Sequence, residues 1–514
     1  MSISPLSPPS PTKRNISTSL VALFDGIVSL PDGVDLPITG IALDSRQVCP
    51  GDLFFACAGS HTHGVQFIDD AIVRGAVAVV VEGDMNDTGY PPLHQGVPII
   101  GVTGLTHHLG QLAARFYGDP SHRLTVIGVT GTNGKTSITH FLAQVLNRAE
   151  APCAVIGTIG VGLYRQLSPT THTTPDAVVL QGLLADLLTQ GAYWLGMEVS
   201  SHALDQGRVE GVAFDVAVFT NLTRDHLDYH GDMTAYGLAK QRLFQFPNLK
   251  YAVVNTDDSF GRALLRGLPA GVQAIGYGLS PFDGVGENGS QVLGNKLCLS
   301  ATGLRMVVTT PWGNGILESP LLGRFNASNL LAVLTTLVVL GIPLDEALSA
   351  LSRVQSVSGR METFGGGPAT PLVVVDYAHT PDALEQVLLT LREHTMGRLW
   401  CVFGCGGERD RGKRPLMGAV VERLANMVIV TNDNPRGEEA ADICRAILNG
   451  MKTPARAMVI PERAAAIRHA IISAKPEDVI LVAGKGHEDY QQIGTTRFPF
   501  SDSIEVKQLL SIRN

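Results

Sequence analysis

The sequence has no run of apolar residues long enough to cross a lipid bilayer. The longest run, residues 330–340, is short and interrupted by threonine, whereas a spanning helix needs about 20 apolar residues. A secretory signal is also lacking, because the apolar patch after Lys13 and Arg14 is broken by Asp25. We therefore expect no membrane segment, and we expect residues 1–18, rich in serine and proline, to form a flexible tail.

Cysteine pairs and an excess of basic charge are missing as well. The seven cysteines are an odd number and contain no C-x-x-C pair, which favours a reduced, cytoplasmic location. The formal net charge of −8 argues against nucleic acid as the main partner, since a phosphate backbone needs a basic face. Local basic pockets remain compatible with this net charge.

The composition that is present fits an enzyme with several domains. Hydrophobic residues make up 45% of the chain, charged residues 17%, and there are 56 glycines. This is typical of a loop-rich α/β protein rather than a disordered or fibrous one. The 514 residues allow roughly three domains at ~150 residues each.

A glycine-rich turn with a lysine occupies residues 131–136, with the sequence GTNGKT. Gly131 and Gly134 let backbone N–H groups converge on phosphate oxygens, Lys135 adds a cation, and Thr136 can offer its hydroxyl to Mg²⁺. A helix is predicted to follow, because apolar residues recur at helical spacing. These residues are Ile138, Phe141, Leu142, Val145 and Leu146.

This turn departs from the strict G-x-x-x-x-G-K-[ST] pattern, because Val129 stands where the first glycine belongs. The alternative interpretation is an ordinary surface loop. A predicted strand at 124–130 before the turn and a helix after it favour a nucleotide-phosphate site.

An α/β organisation in three blocks follows the predicted tail. The first block, residues 19–105, is predicted to be a small α/β domain with strands at 51–56 and 76–81 and a helix over 65–74. The second block, residues 106–341, contains the GTNGKT turn. Its other predicted elements are buried parallel strands at 194–199 and 216–220 and a β-hairpin region at 274–310.

The third block, residues 342–514, shows regular alternation of strands and helices. This alternation predicts a doubly wound parallel sheet. The predicted strands are 372–376, 399–403, 427–431 and 479–483, and the clearest helices are 381–394 and 463–474.

Two further candidates follow predicted strands of the second block. Glu198 ends the strand at 194–199, where parallel sheets bind ligands, and its carboxylate suits Mg²⁺; the alternative is a solvated loop glutamate. His226 lies in a segment with two aspartates and two histidines at 225–230. A lone histidine is more often structural, but the clustering after the phosphate turn favours a ligand.

The sequence resembles the Mur ligase family from about residue 40 to the C-terminus. Six motifs occur in the family's order: GTNGKT at 131–136, EVSSH at 198–202, NLTRDH at 221–226, LGRFN at 322–326, SGRME at 358–362 and DYAHTP at 376–381. Within the family, the resemblance is to the branch that adds meso-diaminopimelate to UDP-N-acetylmuramoyl-L-alanyl-D-glutamate in cytoplasmic peptidoglycan synthesis. It implies an N-terminal UDP-binding domain, a central P-loop ATPase domain and a Rossmann-like C-terminal amino-acid-binding domain, in a monomer.

The resemblance implies a ligase that works through an acyl phosphate. ATP phosphorylates a substrate carboxylate, an amine attacks the acyl phosphate, and phosphate leaves. Such chemistry needs positioning and cations that neutralise developing charge. The family assigns this role to Lys135, to one Mg²⁺ at Thr136 and Glu198, and to a second Mg²⁺ at His226 and Lys240, the latter as a carbamate, N6-carboxylysine. Carbamylation turns a cation into an anion that can bind metal.

The resemblance also assigns substrate contacts by position. ATP falls to Gly131, Thr132, Asn133, Gly134, Lys135, Thr136, Asn326 (adenine), Arg360 (phosphate) and Asp376 (ribose). The UDP-muramoyl dipeptide falls to Ser45, Thr173, Thr174, Ser200, Gln206 and Arg208. Diaminopimelate falls to Arg409, Asp433, Asn434, Pro435, Arg436, Gly484 and Glu488. Two structural alternatives stay open: Asn326 as a helix cap before residues 327–340, and Arg360 as an ion-pair partner of Glu362.

Arg436 carries the expected choice of amino acid. Diaminopimelate differs from lysine by a second carboxylate, which a guanidinium group can hold bidentately and for which lysine has no counterpart. Pro435 beside it is also what a structural turn would contain. Glu488 is expected to take the distal ammonium.

Two other functions compete with that of a Mur ligase. Folylpolyglutamate synthase shares the TNGK turn, but glycine commonly follows its lysine where this chain has Thr136, and it lacks a UDP-binding domain. A nucleotide-regulated scaffold without catalysis is the other possibility. The presence of Glu198, His226, Lys240 and the Asp-Asn-Pro-Arg set at 433–436 argues against it.

Overall fold

The computed structural model describes residues 17–30, 34–58, 63–83, 93–170, 172–282, 284, 290–300, 303–367 and 369–513. The chain divides into two compact units, Met1–Gln291 and Val292–Asn514. Most of the predicted tail, residues 1–16, lies outside the described residues, and Thr18 belongs to a short strand.

The first unit begins with a small α/β region that contains a two-stranded and a five-stranded sheet. Its strands are β1 (Thr18–Ser19), β2 (Pro37–Ile38), β3 (Gly40–Ala42), β4 (Asp52–Ala56), β5 (Ala78–Glu82), β6 (Leu93–His94) and β7 (Val97–Val102), and its helices are α1 (Leu20–Phe24), α2 (Ile68–Val73) and α3 (Leu105–Phe116). Strands β3, β4, β5 and β7 are parallel, β6 pairs antiparallel with β7, and β1 pairs with β2. The predicted strands at 51–56 and 76–81 are confirmed as β4 and β5.

The predicted helix over 65–74 begins later than expected. Residues Gly64–Phe67 form a 3-10 turn, and α2 starts only at Ile68. The reason is local, because the His63 Nδ1 atom accepts the Val65 N–H at 3.3 Å and so caps the tighter turn.

A second, larger sheet follows in the same unit. Its strands are β8 (Thr125–Thr130), β9 (Cys153–Ile156), β10 (Val161–Leu163), β11 (Trp194–Glu198), β12 (Val216–Phe219), β13 (Tyr251–Asn255) and β14 (Gln273–Gly278), in the spatial order β10-β9-β11-β8-β12-β13-β14. All are parallel except β10. The helices are α4 (Lys135–Leu146), α5 (Ala177–Thr189), α6 (Ser201–Asp205), α7 (Leu227–His230), α8 (Met233–Gln241) and α9 (Ser259–Arg266).

Strand β8 lies in the middle of this sheet and explains where the candidate site forms. Its residues Val126, Ile127 and Val129 are fully buried, as expected for a parallel strand covered on both faces. Strands β11 and β12 flank it in parallel. The turn at 131–136, Glu198 and the loop after β12 therefore lie at one edge of the sheet, where α/β proteins bind ligands.

The second unit contains an antiparallel part and a mostly parallel part. The strands are β15 (Ser290–Ser300), β16 (Gly303–Thr310), β17 (Gly313–Ser319), β18 (Glu362–Gly365), β19 (Leu372–Asp376), β20 (Leu399–Phe403), β21 (Met427–Val430), β22 (Ala457–Val459), β23 (Val479–Ala483), β24 (Tyr490–Ile493) and β25 (Thr496–Pro499). The helices are α10 (Arg324–Val339), α11 (Leu344–Leu351), α12 (Pro381–His394), α13 (Lys413–Leu424), α14 (Ala440–Leu448), α15 (Arg463–Ser473) and α16 (Asp502–Arg513). Within the described ranges, no helix combines the length and apolarity needed to span a bilayer.

The doubly wound sheet predicted for the third block is confirmed. Its order is β18-β19-β23-β20-β21-β22, and only β18 is antiparallel. In the register, Ala483 at the end of β23 lies opposite both Asp376 and Phe403, which end the neighbouring strands. The loops that begin after these three residues therefore leave the same edge of the sheet.

A buried ion pair fixes the chain at the ends of β23 and β21. The Arg463 guanidinium donates to both carboxylate oxygens of Asp502 at 2.7 Å, and both side chains are fully buried. It also donates to the backbone carbonyls of Ala483 (3.0 Å) and Asn432 (3.3 Å). One cation thus joins α15 and α16 to the ends of β23 and β21.

We predict that Asp502→Asn lowers the free energy of unfolding of the second unit by about 3 kcal/mol or more, because breaking a buried pair leaves Arg463 uncompensated. The measurement is urea denaturation of the full chain. The matched control is Glu318→Gln, which breaks the exposed Arg305–Glu318 pair and is expected to cost less than about 1 kcal/mol. Equal losses in the two variants would contradict the role given to the buried pair.

Candidate active site

The glycine-rich turn adopts a backbone conformation that other residues cannot easily take. It joins β8 to the first turn of α4, with Gly131 at φ 145° and Gly134 at φ 90°. A Cβ atom at Gly131 would lie 1.8 Å from the Thr220 hydroxyl oxygen. The predicted strand, turn and helix are therefore confirmed, and both glycines are needed for the shape of the turn.

The segment after β12 braces this turn. The Thr132 N–H donates to the Asn221 carbonyl at 2.8 Å, and the Asn133 N–H donates to the Asn221 side-chain oxygen at 3.0 Å. The Thr220 hydroxyl donates to the Asn133 carbonyl at 2.6 Å. Sequence analysis gave Thr220 and Asn221 no role, although they directly precede or begin the quoted NLTRDH motif.

Two lysines converge on one carbonyl of the turn. Lys135 Nζ donates to the Gly131 and Thr132 carbonyls at 2.8 and 2.9 Å, and Lys240 Nζ donates to the Gly131 carbonyl at 3.0 Å. Lys240 is buried and lies over the Tyr236 ring at 4.3 Å. Burial, followed by the charge of Lys135, holds the pKa of Lys240 well below its usual value. Burial therefore favours the neutral amine of Lys240 over the ammonium form beside the phosphate turn.

Glu198 is a buried carboxylate with three hydrogen-bond donors. It accepts the Thr136 hydroxyl at 2.9 Å, the Thr158 N–H at 2.8 Å and the Thr158 hydroxyl at 3.1 Å. The Thr158 hydroxyl also lies 3.1 Å from the Thr173 hydroxyl. A carboxylate beside a threonine hydroxyl is an oxygen donor set that fits Mg²⁺. Sequence analysis missed Thr158, which lies in the loop after β9 and belongs to no motif.

The residues expected to hold the muramoyl dipeptide adjoin this carboxylate. The Thr174 hydroxyl donates to the backbone carbonyl of Glu198 at 2.8 Å and accepts the Ser200 N–H at 3.2 Å. Arg208 donates to the Thr174 carbonyl at 3.0 Å and through Nε to the Gln206 side-chain oxygen at 2.9 Å. These residues and Thr173 form one hydrogen-bonded group next to the phosphate turn.

His226 is placed by an unusual backbone conformation. Its φ is 52°, in the left-handed region, at the start of α7. Burial lowers its pKa, while Asp225, whose carboxylate lies 3.4 Å from Nε2, acts in the opposite direction. Its ring centroid lies 4.9 Å from that of His202 and 6.1 Å from that of Tyr236. A neutral imidazole next to the lysine-bearing helix α8 suits a metal ligand.

Protein side chains alone do not form a complete metal cage at this place. The described part of the chain contains no cluster of three or more histidine, cysteine, aspartate or glutamate residues arranged around one ion.

Ser45 lies in the small N-terminal sheet of the same unit. It is buried and begins a 3-10 turn, Ser45–Gln47, after β3. The Asp44 carboxylate caps that turn by accepting the Arg46 N–H at 3.0 Å.

The nucleotide candidates of the second unit surround the end of β19. Both carboxylate oxygens of Asp376 accept backbone N–H groups at 2.8 Å, although burial raises its pKa. The Arg360 guanidinium lies 4.6 Å from the Tyr377 ring centroid. Among the described residues Arg360 forms no ion pair with Glu362, which instead accepts the Ser503 hydroxyl at 2.8 Å.

Asn326 is not a helix cap. Helix α10 begins at Arg324, so Asn326 lies inside its first turn. Its side-chain amide donates to the Leu322 carbonyl at 2.9 Å and accepts from the Asn329 amide at 3.2 Å. These bonds fix the orientation of a buried amide.

The amino-acid candidates gather at the ends of β21 and β23. The Asn434 amide donates to Glu488 Oε2 at 2.8 Å. Lys485, which sequence analysis missed, donates to the Asn434 oxygen at 3.0 Å and to Glu488 Oε2 at 3.1 Å. Its Nζ lies 3.5 Å from Asp433 Oδ1. Lys485 lies in the GKGHE segment, residues 484–488, in which only Gly484 and Glu488 were expected to contact diaminopimelate.

Arg436 faces the loop after β20. Its φ is 51°, and its guanidinium donates to the Gly407 carbonyl at 2.8 Å. The Pro435 carbonyl is also close to Gly407, where a Cβ atom would come within 1.9 Å of it. Arg409 is exposed in the same loop. Since one guanidinium N–H is used by Gly407, further donors of Arg436 are available to a carboxylate.

We predict that the unfolding midpoint of Lys240→Met exceeds that of the wild type by more at about pH 7 than at about pH 10. The unfolded chain protonates this lysine below its ordinary pKa of 10.5, whereas the folded protein holds it neutral to a much lower pH. Wild-type stability must therefore rise with pH relative to the variant. Thermal unfolding in carbon-dioxide-free buffer measures this.

The matched control is Lys250→Met, because Lys250 is exposed and paired with Asp215 at 2.8 Å. For this control, the excess of the variant's unfolding midpoint over that of the wild type should not decrease between about pH 7 and about pH 10. If the difference in unfolding midpoint between Lys240→Met and the wild type stayed constant or grew from about pH 7 to about pH 10, the lowered pKa of Lys240 would be contradicted.

Comparison with known proteins accounts for most of the chain. Residues 37–117 match the model "Mur ligase family, catalytic domain", residues 129–337 match "Mur ligase middle domain", and residues 359–486 match "Mur ligase, glutamate ligase domain". The three matches occur in the order expected from the sequence motifs. They confirm the three-domain α/β fold class.

Individual relatives are similar over nearly their whole length. The chain is 50% identical over 497 residues to the UDP-N-acetylmuramoyl-L-alanyl-D-glutamate–2,6-diaminopimelate ligase of Alkalilimnicola ehrlichii, covering 96% of this chain and 98% of that protein. It is 49% identical over 477 residues to the enzyme of the same name from Pseudomonas aeruginosa, covering 93% and 96%.

A solved structure of a UDP-N-acetylmuramoyl-L-alanyl-D-glutamate–2,6-diaminopimelate ligase superimposes with a TM-score of 0.73 at 36% identity and covers 97% of this chain and 99% of its own. Fold, sequence and domain order therefore agree. The chain belongs to the Mur ligase family.

Proposed function

We propose that this ATP-dependent ligase joins an amino group of meso-diaminopimelate to the D-glutamyl side-chain carboxylate of UDP-N-acetylmuramoyl-L-alanyl-D-glutamate. One observation supports this most. The buried Glu198 carboxylate is bonded both to Thr136 of the phosphate turn and to Thr158, whose hydroxyl contacts Thr173. A phosphate-binding turn and residues suited to a peptide carboxylate are thus neighbours, as phosphorylation of that carboxylate requires.

ATP would place its phosphates on residues 131–136, where Lys135 provides a positive charge. Thr136 and Glu198 would hold one Mg²⁺ through oxygen, and His226 and carbamylated Lys240 would hold a second. Bound Mg²⁺ would neutralise charge on the phosphoryl group during transfer. The remaining nucleotide contacts are assigned to Asn326, Arg360 and Asp376.

The low pKa of Lys240 supports its modification. A neutral amine can attack carbon dioxide, forming an N–C bond and releasing one proton, to give an anionic carbamate. Lys135 lies close enough to affect its pKa, and its positive charge would stabilise that anion. The two lysines would then attract each other instead of competing for the Gly131 carbonyl.

The reaction would proceed in two covalent steps. A carboxylate oxygen of the D-glutamyl group attacks the γ-phosphorus, and the bond to ADP breaks. The amino nitrogen then attacks the acyl carbon and loses a proton, and the carbon–oxygen bond to phosphate breaks. The protein provides positioning and charge stabilisation for both steps.

The substrates would bind to the residues that the family resemblance assigns to them. Ser45 and the group Thr173, Thr174, Ser200, Gln206 and Arg208 would bind the UDP-muramoyl dipeptide. The second unit would bind diaminopimelate, with the distal carboxylate on Arg436 and the distal ammonium on Glu488, next to Arg409, Asp433, Asn434, Pro435 and Gly484. We further propose domain limits of 19–105, 106–341 and 342–514, a monomer and a cytoplasmic location.

The test of the reaction is phosphate release by the purified full-length protein with Mg²⁺ and ATP. We expect release only when both the UDP-dipeptide and diaminopimelate are present, together with formation of the UDP-tripeptide. Release without either substrate would favour a plain ATPase, and no release with both would overturn the proposal.

For substrate choice, we predict that Arg436→Ala raises the KM for diaminopimelate about 100-fold, because the distal carboxylate loses a bidentate partner. The KM for ATP should stay within about threefold. The measurement is steady-state kinetics, with Arg468→Ala, an exposed arginine on α15, as the matched control. Equal increases in both KM values would contradict the assignment.

A further inference from the structure

Lys485 is a fully buried cation behind the amino-acid candidates. It follows Gly484 in the loop after β23, and its side chain has no exposed area. A buried ammonium group needs compensating partners. Its partners are Asn434, Glu488 and Asp433, at 3.0, 3.1 and 3.5 Å, and the Tyr490 ring, whose centroid lies 5.5 Å from Nζ.

The partners of Lys485 are arranged asymmetrically. Lys485 and the Asn434 amide both donate to Oε2 of Glu488. The Glu488 side chain is 19% exposed, whereas Lys485 is not exposed at all. Lys485 therefore lies deeper than Glu488, and its bond to Oε2 fixes the orientation of a carboxylate that is partly open to a ligand.

The two carboxylate oxygens of Asp433 also have different neighbours. Its Oδ1 faces Lys485, and its Oδ2 lies so close to Gly484 that a Cβ atom there would come within 2.9 Å. Gly484 has φ 114°, so a side chain at this position is also strained. The glycine leaves room for the Oδ2 atom of Asp433.

The charges of these side chains match one ammonium group. Asp433 and Glu488 carry two negative charges, and Lys485 compensates one of them. The remaining negative charge equals the positive charge of a single ammonium on the ligand. Without Lys485, the like charges of the two carboxylates would repel each other. This repulsion would oppose the orientation that Asn434 gives to Glu488.

The backbone of these loops is held by other bonds. The Gly407 N–H donates to the Asn434 carbonyl at 2.9 Å, and the Gln491 amide donates to the Asp433 carbonyl at 2.8 Å. Arg463 fixes Ala483 on the other side. The charge of Lys485 is therefore directed at side chains of the pocket rather than at the loop backbone.

We propose that Lys485 is a positioning residue that sets the orientation and net charge of Asp433 and Glu488, and thereby the affinity for an amino acid with a distal ammonium group. This inference rests on the proposed function. It assigns Lys485 no direct contact with the reacting atoms.

The test compares Lys485→Met, Glu488→Gln and the double variant in steady-state assays of the full chain. Lys485→Met should raise the KM for diaminopimelate about 30-fold, since it removes charge-assisted hydrogen bonds to Glu488. The KM values for ATP and the UDP-dipeptide should change by less than about threefold. The control is Lys452→Met, an exposed lysine of the same unit, which should leave all three KM values unchanged.

The double variant separates positioning from general damage. If Lys485 acts through Glu488 and Asp433, the double variant should raise the KM for diaminopimelate by clearly less than the product of the two single increases, because the part that runs through Glu488 is already lost in Glu488→Gln. Independent, multiplicative effects would overturn the inference, and so would equal increases in all three KM values.

Lys485→Gln provides a second measurement if the methionine variant does not fold. It keeps one N–H donor without the charge, and it should still raise the KM for diaminopimelate by about 10-fold. An unchanged KM in a folded Gln variant would overturn the inference while leaving the proposed function intact. Failure of the wild type to use diaminopimelate would instead refute the proposed function itself.

Discussion

Burial of charge at the carboxyl ends of parallel strands is the constraint on which this structure depends. An ionised group removed from water needs partners or must become neutral. Glu198 is compensated by hydroxyl and amide donors, and Arg463 by Asp502. Lys485 is compensated by two carboxylates and an amide. Lys240 follows the other course, because burial and the adjacent Lys135 lower its pKa and favour the neutral amine.

Compensation of a buried charge by partners and its neutralisation serve different parts of the proposed chemistry. Compensated groups keep a fixed geometry before substrates bind, so that little reorganisation is needed during phosphoryl or acyl transfer. The neutral Lys240 is chemically reactive instead, since an unprotonated amine can form a carbamate. The turn at 131–136 joins the two, because its Gly131 carbonyl accepts both lysines while Thr136 bonds to Glu198. Charge, nucleophilicity and position are therefore set by one local network.

The sequence predicted local elements well and long-range pairings poorly. Strand β8, the glycine turn and α4 were predictable because apolar periodicity and turn chemistry are local. Thr158 was not, because it meets Glu198 only after two strands 40 residues apart become neighbours. Lys485 was visible as a residue of the GKGHE segment, but its role depends on contacts with Asp433 and Asn434 that the sheet creates. The late start of α2 reflects a histidine cap that periodicity does not report.

The central claim is that the buried network brings a peptide carboxylate against the γ-phosphate of ATP. Substrate in which both oxygens of the D-glutamyl side-chain carboxylate are oxygen-18 tests it most directly. Mass spectrometry of the phosphate released during ligation should show one labelled oxygen per phosphate, because the carboxylate oxygen leaves with the phosphoryl group. Phosphate free of label, released as the amide forms, would contradict the account.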